Sequence, residues 1–231
     1  MKQPRLLLVH GWGLAAGVWR PMLERSGNPP HYCVDFGFFG RGQLDIPTDE
    51  PLIAVGHSLG FLWLLKHISD SPWGGRVQGL VSINGFSRFS HADDFPHGVN
   101  HCILRRMKNG MQRDPVKVLN DFRVLGGGPP GDLIGADAKK RLDPLALAYG
   151  LAWLMEWDCR EVISGWDKPF LAIANSDDKV VTPEITNDSF SQFPALQSSP
   201  VQWMDRGGHL GLLTRPPAYG ALVDKFYRSF C

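Results

Sequence analysis

Three short stretches of this chain carry residue types whose order and spacing suit acyl transfer through a serine nucleophile. Gly56-His57-Ser58-Leu59-Gly60 fits G-x-S-x-G, with apolar Leu52-Ile53-Ala54-Val55 before it and a run of helical period after it. The bare motif is weak, whereas strand, motif and helix in succession mark a nucleophile set on a sharp turn. Such a turn holds strained backbone, so glycine is needed at 56 and 60, where a Cβ would strike neighbouring chain. It also lifts the Ser58 hydroxyl out of the sheet, beside a helix N-terminus whose N–H groups can receive negative charge.

A serine hydroxyl needs a base, and the base needs an orienting acid; in this setting they follow in the order Ser, Asp, His. Gly207-Gly208-His209 comes after the last apolar run, and its glycines let a loop bring the imidazole to the sheet edge, which makes His209 the base among eight histidines. Asn175-Ser176-Asp177-Asp178-Lys179-Val180-Val181 offers two acids. Asp178 stands three after Asn175, a residue type that tolerates a left-handed turn, and just before Lys-Val-Val, so it is favoured over Asp177. Its carboxylate would fix one imidazole tautomer and stabilise the imidazolium. His10-Gly11-Trp12-Gly13 closes the first strand, and the N–H groups of Trp12 and Leu59 are assigned to the oxyanion. His10 is read as a brace for that loop, not a second base.

The elements that must position these groups are legible as short apolar runs alternating with segments of helical period, the pattern of a parallel sheet with crossover helices. Strands are expected near Arg5–Val9, His31–Asp35, Leu52–Gly56, Gln78–Asn84, Pro169–Ala174 and Pro200–Met204. Leu59–Ile68 is apolar almost all round, which fits a helix buried on the sheet, and Pro216–Phe230 reads as a C-terminal helix. Between Gly85 and Asp167 the alternation stops and helical segments take over, at Val99–Met111, Val116–Leu125 and Pro144–Trp157. The expected organisation is therefore an α/β core of residues 1–87 and 168–231 with a helical lid of residues 88–167. The lid is inserted after the strand ending near Asn84, over the sheet edge where ligands bind. The glycine-proline run at Gly126–Gly131 is read as a loop that could hinge.

Taken together, His-Gly-Trp-Gly-Leu at His10–Leu14, Asp35 with Gly40-Arg41, Gly-His-Ser-Leu-Gly, Ser-Asp-Asp-Lys-Val-Val and Gly-Gly-His resemble the α/β-hydrolase superfamily over nearly the whole chain. Within it the chain is most similar to the pimeloyl-acyl carrier protein methyl ester carboxylesterases of biotin synthesis, through Val18-Trp19 after the first motif and the run Ser87–Val99. The resemblance implies a serine carboxylesterase that needs no cofactor. It also implies a lid whose basic side chains bind acidic acyl carrier protein. A general short-chain carboxylesterase or thioesterase stays open as an alternative, and so does a non-catalytic ligand-binding hydrolase fold.

The chain departs from that family in three ways. His57 stands where a bulky aromatic usually precedes the serine, which would alter the acyl pocket wall. The N-terminal antiparallel hairpin is missing. Only 23 positions separate Asp35 from Ser58, which leaves about a dozen residues for a parallel crossover, near the minimum for that connection. A trimmed sheet edge follows, its apolar face to be covered by the lid, by Trp73 or by a second subunit.

Charge and composition limit the partners. The 231 residues carry a net charge of +1, so no chain-wide field favours nucleic acid or an anionic membrane. Residues 97–125 nevertheless hold six basic residues, Arg105, Arg106 and Lys117 among them, against Asp114 and Asp121. No apolar run reaches the roughly 18 residues of a spanning helix and the N-terminal apolar stretch is short for a signal peptide, which suggests a cytoplasmic protein. The four cysteines stand singly, unlike a disulfide framework or a zinc ribbon. His91, Asp93, Asp94, His97 and His101 lack the spacing of a metal site. The glycines from Phe36 to Gly42 lead into no helix, so no nucleotide cofactor is expected.

Overall fold

Runs that are apolar at nearly every position form strands covered on both faces, as parallel sheets require. The computed structural model describes residues 2–47, 49–128, 135–190 and 201–231. Its strands are β1 (Arg5–Val9), β2 (His31–Val34), β3 (Leu52–His57), β4 (Val77–Ile83), β5 (Phe170–Asn175) and β6 (Gln202–Met204). They lie in the order β2-β1-β3-β4-β5-β6, and every ladder among the described residues is parallel. Val9 pairs with Gly56 and Gly56 with Ser82. That register aligns the C-terminal ends of three strands, so the loops after β1, β3 and β4 leave the sheet at one edge.

The helices are α1 (Arg20–Arg25), α2 (Leu59–Ile68), α3 (His101–Gly110), α4 (Pro115–Leu125), α5 (Ala136–Arg141), α6 (Pro144–Glu156), α7 (Arg160–Ser164), α8 (Pro183–Phe190), α9 (Gly211–Thr214) and α10 (Pro216–Arg228). On one face, Trp19, Met22 and Leu23 pack with Tyr219, Val223 and Tyr227 over Leu6, Leu8, Ile53 and Val55. On the other, α2 lies between the sheet and the inserted helices, with eight of its ten residues buried. This sandwiching is why its sequence is apolar all round.

The expected elements are found with boundaries shifted for local reasons. The helix expected from Val99 starts at His101, because Val99 bridges Ser90 and the Asn100 side chain accepts the Cys102 N–H at 2.8 Å as the cap. Asp114 and Asp143 cap α4 and α6, each followed by proline in the first turn. The strand expected from His31 to Asp35 stops at Val34, where Asp35 turns to exchange both main-chain hydrogen bonds with Gln43. The start of the strand expected at Pro200 and part of the 126–131 loop lie outside the described residues.

No helix fills the connection from β2 to β3 among its described residues. An aromatic cluster takes that volume instead. Trp63 stacks on Trp73 at 6.0 Å, Phe36 meets Trp63 and Trp153, and Trp153 stacks on Trp157 at 5.0 Å. At the trimmed edge β2 stays half-buried at His31, Tyr32 and Cys33, and Phe36 just after it packs on Trp63 of α2 and Trp153 of α6.

Two points of the segment between β4 and β5 are tied together. Cys159 N–H donates to Ser87 O at 2.8 Å, and Arg88 pairs with Asp158 at 2.6 Å.

Candidate functional site

The turn between β3 and α2 forces Ser58 to φ 52°, left-handed backbone that a serine adopts only under constraint. The reason is close packing on both sides. A Cβ at Gly56 would lie 2.4 Å from Phe61 Cα, and one at Gly60 2.1 Å from Val9 O. Ser58 N–H donates to Ile83 O at 3.0 Å, tying the turn to β4.

His209 reaches this serine from the loop after β6. Its Nε2 lies 2.8 Å from Ser58 Oγ and its Nδ1 2.8 Å from Asp178 Oδ2. All three side chains are buried. Asp178 Oδ1 accepts the Val180 and Val181 N–H groups at 2.7 and 2.9 Å, which orients the carboxylate. Asp177 is exposed and serves elsewhere, accepting the N–H groups of Gly207 and Gly208 and so shaping the loop that carries His209.

Asn175 does not make the left-handed turn its residue type permits. It ends β5 in extended backbone, and its side chain donates to Gly208 O at 2.5 Å and to Tyr219 Oη at 2.7 Å. The asparagine beside this site with positive φ is Asn84, at 46°; Asn28, at 53°, lies in the loop before β2. Asn84 Nδ2 donates to both Gly208 O and His209 O, and its Oδ1 accepts Asn175 N–H. Sequence reading missed this Asn84, Asn175 and Tyr219 network; the available signal was a polar residue ending each of two apolar strands.

His57 is buried and lines no open wall. Its Nε2–H donates to His209 O at 3.0 Å, and burial, reinforced by the neighbouring His209, pushes its pKa down to about 3. His10 donates from Nδ1 to Gly11 O and accepts the Phe36 N–H at Nε2, joining the loops after β1 and β2. Leu59 directly follows the serine, and Trp12 follows Gly11, where a Cβ would lie 3.1 Å from Ser58 Cβ. Among the described residues neither N–H has a main-chain acceptor, and Leu59 is the first residue of α2, where such groups are free.

The inserted helices close over these loops. Phe122 of α4 sets its ring edge-on to Trp12 at 5.0 Å and to His209 at 5.9 Å. Arg123 donates to Gly13 O, Leu210 N–H to Gly126 O, and Trp12 Nε1–H to Leu147 O. Arg123, one of the six basic residues of 97–125, therefore turns inward, away from the face that carries Arg105, Arg106 and Lys117. The outer side of α3 and α4 forms a groove of about 840 Å³ with Val118 and Phe122 in its walls and Arg105, Arg106, Arg113 and Lys117 around it. Lys117 is paired with Asp121 at 2.6 Å.

Among the described residues no cluster of His, Cys, Asp or Glu could hold a metal ion, and no helix is long and apolar enough to cross a membrane. His97 pairs with Asp188, and Asp94 with Arg160.

The fold recurs in solved structures. An esterase from Exiguobacterium antarcticum superposes with a TM-score of 0.82 at 14% identity, over 97% of this chain and 92% of that one. A bromoperoxidase from Bacillus anthracis gives 0.78 at 19% identity, over 99% and 92%. The enol-lactonase of Burkholderia xenovorans LB400 gives 0.74 at 14%, again over 99% and 92%. The chain has the α/β-hydrolase fold.

No family model matches it. Its sequence is similar to proteins named pimeloyl-[acyl-carrier protein] methyl ester esterase. It is 27% identical to that of Stenotrophomonas maltophilia strain K279a, over 96% of this chain and 92% of the relative. It is 29% identical to that of Xanthomonas campestris pv. campestris strain B100 and 24% to that of Xylella fastidiosa strain M23, each over 96% and 94%. By fold and relatives together, the chain is a carboxylic ester hydrolase.

Proposed function

We propose that this protein hydrolyses the methyl ester of a pimeloyl chain borne by acyl carrier protein, in the cytoplasm, as a step of biotin synthesis. The observation that carries the reading is the line Asp178, His209, Ser58, with both hydrogen bonds at 2.8 Å, in a chain whose relatives bear that name. Ser58 Oγ attacks the ester carbonyl while His209 Nε2 takes its proton. The N–H groups of Trp12 and Leu59 receive the oxyanion, and Asp178 holds the imidazolium in place. Collapse breaks the carbonyl–methoxy bond, and His209 returns the proton to the departing methanol. Water, deprotonated by His209, then attacks the acyl-serine; the proton goes back to Ser58 and the free acid leaves.

Residues 88–167 act in this reading as a lid. Phe122 narrows the approach to His209, and Arg105, Arg106 and Lys117 present positive charge to the acidic carrier. Such a patch speeds encounter and weakens with salt. No metal or cofactor takes part.

A general short-chain carboxylesterase or thioesterase is the second reading, favoured by Arg123 facing inward and by the Lys117–Asp121 pair, both of which thin the basic face. The deciding experiment compares hydrolysis of carrier-bound and free methyl ester over a salt series. Preference for the carrier-bound ester at low salt, lost when Arg105, Arg106 and Lys117 are neutralised, supports carrier recognition; equal rates throughout leave only the general esterase. A fluorophosphonate probe that labels the wild type but not Ser58→Ala excludes a purely ligand-binding fold.

A further inference from the structure

Two side chains outside the Asp178, His209, Ser58 line converge on a single atom of it, the main-chain carbonyl oxygen of His209. His57 Nε2 lies 3.0 Å from that oxygen and Asn84 Nδ2 3.1 Å from it. A carbonyl oxygen only accepts, so His57 carries its proton on Nε2 and leaves Nδ1 bare. Nδ1 is buried without a partner, in a notch so tight that a Cβ on Gly11 would come within 2.6 Å of it. Burial keeps the ring neutral across the neutral pH range, so the donor on Nε2 persists there.

The second donor is held just as firmly. Asn84 sits at φ 46°, its Nδ2 also donates to Gly208 O at 3.2 Å, and its Oδ1 accepts Asn175 N–H at 3.1 Å. Asparagine tolerates this conformation better than most residues, and the hydrogen bonds to Gly208, His209 and Asn175 hold Asn84 in it.

His209 needs such help because two glycines precede it. Gly207 and Gly208, at φ 142° and 56°, give the loop freedom to reach the sheet edge and little means of aiming the histidine they carry. Donors from the ends of two adjacent strands, β3 and β4, fix the direction of the His209 carbonyl and so the base of its side chain. His57 is also the residue next to the nucleophile, so one dipeptide ties attacking atom and base together.

We propose that His57 and Asn84 are positioning residues for the hydrolytic step: by clamping the His209 carbonyl they keep its imidazole in line between Asp178 and Ser58. The proposal rests on His209 acting as the base. A displacement of about 1 Å in such a group costs on the order of a hundredfold in rate, which sets the size of the expected effect.

The test compares the full-length wild type with His57→Phe, His57→Gln and Asn84→Gly. Phenylalanine fills the notch without a donor, glutamine puts an amide nitrogen where Nε2 stands, and glycine keeps the left-handed backbone while removing the Asn84 donor. On a soluble p-nitrophenyl ester, His57→Phe is expected to lose ten- to a hundredfold in kcat with KM within about twofold, and His57→Gln to recover most of it. Asn84→Gly should lose about tenfold in kcat, and the low-field proton resonance of His209 Nδ1–H should broaden in both donor-less variants. A His57→Phe protein with wild-type kcat overturns the proposal, as do equal losses in the Phe and Gln variants, which would make the role one of packing. Should His57→Phe not fold, unchanged kcat in Asn84→Gly overturns it alone. Fluorophosphonate labelling run alongside separates the two readings. An unlabelled wild type removes the esterase mechanism and this proposal together, whereas a labelled wild type with an unaffected His57→Phe removes only the clamp.

Discussion

Asp178 divides its two oxygens between different partners: Oδ2 meets His209 Nδ1 at 2.8 Å, while Oδ1 accepts the N–H groups of Val180 and Val181. Both oxygens are satisfied in a buried setting, so the carboxylate can neither rotate nor be replaced by an amide without losing a bond. Asp178→Asn presents an N–H₂ to one side or the other and selects the wrong imidazole tautomer. Turnover should fall by about 10⁴-fold. Asp177→Asn keeps an oxygen for one of the two glycine amides and should lose less than about tenfold, with a lower Tm. Steady-state kinetics on a soluble ester decides, and a larger loss from Asp177→Asn would exchange the two roles.

Gly60 tests the packing that strains the nucleophile. A Cβ there would lie 2.1 Å from Val9 O and 2.6 Å from Val9 C, both rigid strand backbone. Gly60→Ala must push α2 off β1 or fail to fold, at a cost above about 3 kcal/mol, in the range of severe overpacking. Gly75→Ala, where a Cβ meets nothing within 4 Å, is the control and should stay within about 1 kcal/mol by urea denaturation.

The neutral, buried His57 makes stability depend on pH. Its pKa is pushed down to about 3, first by burial and then by His209, from an ordinary value of 6.5. Between those values the unfolded chain binds a proton that the native protein refuses, so stability is whole above pH 6.5 and falls as pH drops toward 3. At pH 5 the loss from this residue is on the order of 2 kcal/mol. His57→Gln has no such proton to bind. Its Tm should fall less than that of the wild type between pH 7 and pH 5, and parallel falls would refute the assignment.

The site residues were more legible in the sequence than the means of holding them. Ser58 and His209 stand out because local chemistry fixes their neighbours: glycines where a Cβ cannot fit, and a loop that must reach the sheet edge. The strands were legible because a parallel sheet buries both faces and leaves an unbroken apolar run. Asn84 and Asn175 were not, since the carbonyls they satisfy lie more than thirty residues away in sequence, and no local period encodes that. Arg123 misled in the same way. Counted as surface charge, it is drawn in to Gly13 O by a contact 110 positions distant.

That inward turn leaves the Lys117–Asp121 pair as the adjustable part of the basic face. Both side chains are well exposed and lie four apart on α4, Nζ to Oδ2 at 2.6 Å, so the pair adds little to stability, roughly 0.3–0.5 kcal/mol. Asp121→Asn removes the negative partner and frees one positive charge beside Arg105, Arg106 and Arg113 without touching the residues around Ser58. If the face docks an acidic carrier, kcat/KM for the carrier-bound methyl ester should rise severalfold at low ionic strength. The gain should shrink by about 0.5 M salt, where the screening length falls to a few ångströms. The free methyl ester should be hydrolysed at the wild-type rate at every salt concentration. A carrier-bound rate that ignores both the substitution and the salt would move docking off this face altogether.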